Sequence, residues 1–207
     1  MRSGDEMPGG ADAATYADAF AAEQEGRLDQ ARKGYLQIIS QFPGSPYVPL
    51  AYLAFAELFA VEGEKDPSRR EFAYQAFEKV IEYPPERNPS HAYALLRASE
   101  VRRASDPTRA LDLGRKAILS SSMPLQRCGP LIRERALAQV IDAYASVGSG
   151  AQAVNFFRPL VMDENELVVH IDRLAGRYGK GPEACRAVSA LPAPLRQPLV
   201  DRHCASR

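Results

Sequence analysis

Four alanines in register constrain this chain more than any other feature. Ala31, Ala73, Ala110 and Ala153 follow one another at intervals of 42, 37 and 43 residues. Four residues after each stands Tyr35, Phe77, Gly114 or Phe157, and seven after stands Ile38, Val80, Ala117 or Leu160. Positions 0, +4 and +7 lie on one face of a helix. A small residue there lets two helix backbones approach, and the ring one turn on fills the space beside it. Pro43 and Pro85 lie twelve residues after the first two alanines and end the helix that carries them. Gly26 and Gly148 lie five residues before the first and last alanines and supply the tight turn into it. A unit recurring every 37 to 43 residues, each holding about two helices, is a repeated helix hairpin.

The breakers between these marks divide the rest of the chain. Gly26, Gly63, Ser105-Asp106-Pro107 and Gly148-Ser149-Gly150 read as turns inside hairpins. Pro43-Gly44-Ser45-Pro46, Pro84-Pro85, Met123-Pro124 and Asp163 separate one hairpin from the next. The spacing predicts helices over 12–25, 28–41, 47–62, 68–83, 90–104, 107–120, 130–147, 150–161, 164–178, 182–190 and 193–203. Nothing alternates as a strand would. With 45% hydrophobic and 25% charged residues among 207, the chain has material for a core and is not a disordered polymer. The expected class is all-α.

The register resembles the tetratricopeptide repeat, a family of helix hairpins. The second copy carries it best: Tyr52, Phe55, Ala56, Phe59 and Gly63 in the first helix, then Ala73, Phe77 and Val80. The fourth copy has Leu137, Val140, Ile141, Tyr144, Gly148, Ala153, Phe157 and Leu160. The first copy matches mainly in its second helix, and the third departs at Gly114. The resemblance covers residues 12–162. It implies a right-handed superhelical solenoid of four to five hairpins, with 1–11 a disordered tail and 163–207 a degenerate fifth hairpin and C-terminal cap. It also implies a concave face lined by the first helices. Carried over position by position, that face holds Tyr16, Phe20, Glu23, Leu50, Leu53, Glu57, Leu95, Ser99, Arg102, Arg135 and Asp142. The expected partner is a protein, as a peptide or helix with apolar anchors near Tyr16, Phe20 and Leu53 and an acidic part near Arg102 and Arg135. Phe20 and Leu53 are equally readable as core between helices.

A narrower likeness lies in Tyr35 to Pro49, where Phe42-Pro43-Gly44-Ser45-Pro46-Tyr47 joins two copies. This run is similar to tetratricopeptide proteins of the bacterial envelope, such as the outer-membrane assembly lipoprotein and the periplasmic Tol–Pal coordinator. Ser45 is expected to cap the next helix, and Pro46 suits its first position. The likeness implies a cell-envelope assembly for secretion, motility or outer-membrane work. The other reading is a cytoplasmic adaptor, since Met1-Arg2-Ser3-Gly4-Asp5-Glu6 has no apolar leader. The apolar run 46–61 contains Glu57 and is too short to span a bilayer. Cys185 and Cys204 either pair in an oxidising compartment or stay as buried thiols.

Net charge is zero but unevenly placed. Residues 1–90 hold 9 bases and 15 acids, and 91–207 hold 17 and 11, so one half is −6 and the other +6. Either the two ends take different partners or associate head to tail, or solvated faces simply drift in charge. Interleaved acids and a lack of stacking rings argue against nucleic acid. His91, His170 and His203 have no metal-ligand spacing, and His170 reads as a core histidine. Gly176 to Gly181 fails the phosphate-loop pattern and reads as a helix stop at Gly179. No nucleophile motif is present. The expectation is a non-enzymatic scaffold without cofactor or metal.

Overall fold

The computed structural model describes residues 9–204. Every regular element among them is helical. The helices are α1 (Ala11–Gln24), α2 (Leu28–Gln41), α3 (Val48–Lys65), α4 (Arg69–Ile81), α5 (His91–Arg102), α6 (Pro107–Ser121), α7 (Gly129–Val147), α8 (Ala153–Phe157), α9 (Glu164–Tyr178), α10 (Pro182–Ser189) and α11 (Ala193–His203). Residues 1–8 of the expected tail lie outside the described residues.

Short turns make hairpins of α1–α2, α3–α4, α5–α6 and α9–α10. Every pairing of real extent joins elements close in chain order: α2 with α3, α4 with α5, α6 with α7, α5 with α7, α7 with α9, and α9 with α11. No such pairing brings α1 or α2 onto α9, α10 or α11.

The register positions are the core. Ala31, Ala73, Ala110 and Ala153 are all buried, as are Tyr35, Phe77, Phe157, Ile38, Val80, Ala117 and Leu160. Each fully buried ring contributes about 1.5–3 kcal/mol relative to exposure. Gly114 breaks the ring pattern for a steric reason: a Cβ there would lie 2.7 Å from Val140 Cγ2 and 3.3 Å from Ser99 Oγ. In the third hairpin α5 and α7 already occupy the space a ring would take. α3 is apolar on two sides because it serves two hairpins. Leu50, Ala51 and Ala54 pack with α1 and α2, whereas Leu53 and Ala56 join the core that continues to Leu199.

Some local expectations need correction. Gly63 lies inside α3, which runs on to Lys65; it is small because a Cβ would meet Arg70 Cγ at 2.8 Å. Ser45 does not cap α3. Its hydroxyl accepts from Tyr47 N at 3.1 Å and donates to Asp12 at 2.6 Å, and the helix starts at Val48. The segment 150–161 is not one helix. A 3₁₀ turn at Gly150–Gln152 precedes α8, and another follows at Arg158–Leu160, where Pro159 cannot donate to a helical ladder. Gly26 and Gly179 do take positive φ, +76° and +71°, after α1 and α9. Asp106 and Asp163 cap α6 and α9, accepting from Arg109 N at 2.9 Å and Glu166 N at 2.8 Å. Cys185 in α10 is bonded to Cys204 at the end of α11, with Cα atoms 4.8 Å apart.

Candidate interaction surface

A band of alternating charge runs from α3 through α5 and α7 to α9. Arg97 on α5 reaches back to Glu57 on α3 through two parallel bonds, Nε to Oε1 and Nη2 to Oε2, each 3.0 Å. Its third guanidinium nitrogen holds Glu100, three residues on along the same face. Glu100 in turn accepts from Arg135 Nε on α7 at 2.6 Å. Also on α7, Asp142 takes Arg103, just past the end of α5, at 3.6 Å and Arg177 of α9 at 2.8 Å. Arg133 clasps Glu166 of α9 at 2.6 and 2.9 Å. The partners stand 33 to 40 residues apart, one hairpin on.

Burial sharpens these pairs. Arg97, Glu57 and Glu100 are only 20%, 19% and 12% exposed in their side chains. Desolvation acts against the Arg97 cation, but Glu57 and Glu100 outweigh it and raise its affinity for the proton. Arg133 holds the Glu166 carboxyl down to about 2 against its own burial, with help from Met162 N. Desolvation lowers His170 against the opposing pull of Glu166, and neither buried ring nitrogen makes a well-formed hydrogen bond. Glu166 stands 3.5 Å from its Nε2.

The expected groove residues divide sharply. Tyr16, Leu50, Leu53, Leu95 and Ser99 are core side chains and offer no surface to a partner. Tyr16 packs between Phe20, Tyr35 and Tyr47 with ring centroids 5.0 to 6.3 Å apart. Ser99 Oγ donates to Ala110 O at 2.7 Å. Phe20 and Glu23 are half-buried, and Glu23 accepts from the Tyr35 hydroxyl at 2.5 Å. The charged members Glu57, Arg102, Arg135 and Asp142 reach the surface, each already engaged by the chain. Arg102 lies 3.6 Å over the Tyr74 ring and 2.8 Å from Glu71 of α4. The structure therefore brings Glu57, Arg135 and Asp142 into the band but not the apolar anchors. The band's other members, Arg97, Glu100, Arg103 and Arg177, were not singled out as groove residues. Their signal was opposite charge recurring at the hairpin period.

The same pairing accounts for part of the charge asymmetry. Glu57, Glu71 and Glu78 of the acidic half meet Arg97, Arg102 and Arg109 of the basic half. Among the described residues, no cluster of His, Cys, Asp and Glu has the makings of a metal site, and no helix is long and apolar enough to cross a membrane. No family model, curated protein or solved structure matches the chain.

Proposed function

We propose that this chain is a non-enzymatic protein–protein interaction scaffold, a right-handed superhelical stack of tetratricopeptide-type hairpins closed by α11. Its interaction surface is the charged band across α3, α5, α7 and α9. One observation carries the reading: the small–ring–aliphatic register is buried in the first, second and fourth copies, and ion pairs recur 35 to 40 residues apart between α3, α5 and α7. Such an array offers an extended surface rather than an enclosed pocket. A partner peptide or helix would read the exposed ends of Arg103, Arg135 and Arg177, which are half or more exposed while their acids are less so.

The Cys185–Cys204 bond supports placement in a bacterial envelope assembly, because such bonds persist in oxidising compartments. The second reading, a cytoplasmic adaptor, draws on Cys128, an exposed free thiol.

Photo-crosslinking tests the surface. A crosslinker at Arg103 or Arg177 should trap one partner from the source cell, and one at exposed Leu119 on α6 should not. Equal trapping at both positions, or none from the first helices, would remove the band as the interface.

A further inference from the structure

A second surface lies away from the band, where α2, α3 and α4 meet. Rings form a path through the first two hairpins, Tyr35 to Phe55 to Phe59 to Phe72, with centroids 6.4, 6.2 and 5.6 Å apart. The path begins in the core and ends at the surface, for Tyr35 is buried and Phe72 is 46% exposed. Phe59 forms part of the wall of a cleft of about 440 Å³, with Arg32, Glu62, Lys65, Asp66 and Arg69. That volume is within the usual range for ligand clefts.

The cations around the cleft keep unused bonding capacity. Arg32 lies 5.9 Å from the Phe59 centroid and reaches Glu62, but its buried Nε–H has no acceptor. Arg69 lies 5.9 Å from the Phe72 centroid and approaches Glu62 and Asp66 no closer than 3.9 and 3.6 Å, beyond hydrogen-bonding reach. Lys65 has no ion-pair partner among the described residues. Three cations line the cleft with two carboxylates; Arg32 is held by Glu62 and by Asp29 outside the cleft, whereas Arg69 stands over the Phe72 ring without a hydrogen bond to either acid. Arg placed this way keeps its outward N–H groups available to a second carboxylate.

We propose that this cleft docks an aromatic side chain carried on an acidic segment of a partner protein. The ring packs against Phe59 and its neighbour Phe72, and the flanking carboxylates take Lys65 and Arg69. The site is separate from the α3–α9 band, so either surface can fail without the other.

The test uses the full chain and an N-acetylated, C-amidated peptide Glu-Asp-Phe-Asp-Glu, followed by backbone amide shifts in heteronuclear NMR. Saturable shifts should appear at the end of α3 and the start of α4. Replacing the central Phe by Ala in the peptide, or Phe72→Ala in the protein, should weaken binding about tenfold, the scale of losing one anchor. Lys65→Glu with Arg69→Glu should do the same and more steeply at low salt. All three protein residues are exposed, so these variants retain the fold, which circular dichroism checks. Equal binding of Lys-Arg-Phe-Arg-Lys, shifts centred on α5 to α9, or an undiminished affinity in Phe72→Ala overturns the proposal.

Discussion

Arg97→Met is the sharpest probe of the charged band. Methionine keeps most of the aliphatic stem over Phe77, whose centroid lies 6.0 Å from the guanidinium, and deletes only the cation. Glu100 retains Arg135, whereas Glu57 loses its bidentate partner while only 19% exposed. Breaking a fully buried pair costs about 3–5 kcal/mol. With Glu57 partly hydrated and Glu100 still paired, the expected loss is about 2–3 kcal/mol. For a chain of this length that is a fall of roughly 5–7 °C in Tm. Urea unfolding by circular dichroism measures it. Glu57→Gln in the Arg97→Met background should recover at least half, because it removes the stranded carboxylate. A cost below about 0.5 kcal/mol, or identical effects of Glu57→Gln with and without Arg97, would refute the claim that this pair ties α3 to α5.

Other consequences are open to measurement. Gly114→Ala should cost about 1–3 kcal/mol through its clash with Val140 Cγ2, read by thermal melting. Cys204→Ser should remove up to about 3 kcal/mol of chain-entropy stabilisation, on the 19-residue separation, confined to the C-terminal unit. Hydrogen exchange should then speed in α11, where Leu199 is the only buried side chain, and stay unchanged in α3 to α7. Burial lowers His170, so the unfolded chain takes up its proton first as pH falls below 6.5. Stability should drop from that point toward the lowered folded value, and His170→Leu should flatten this part of the urea-midpoint profile. Glu166, held at about 2 by Arg133, contributes above pH 4.5 and loses that contribution between 4.5 and 2. Glu166→Gln should abolish that acid limb.

Helix existence and the buried face of most helices were legible from spacing alone. Ala31, Ala73 and Ala153 with their rings at +4 required only a period and a face, both local properties of a helix. Places where two backbones meet were less legible. Gly63 and Gly114 read as a turn and a defect, yet each is small because a neighbouring helix presses on it, α4 on Gly63 and α7 on Gly114. The apolar groove residues failed for a related reason. A carried-over position says which helix a residue is on, and Leu50, Leu53 and Leu95 turn inward because α3 and α5 are each buried on two sides.

Composition and periodicity thus determined that the chain folds as helices and where most of them start and stop, since those depend on neighbours within about a turn. Tertiary structure alone decided that Arg97 reaches Glu57 and that Arg135 reaches Glu100. It also decided that Phe59 and Phe72 meet beside Arg32 and Arg69. Those contacts join residues from different helices, and their distances are set by how helices cross rather than by any order along the chain.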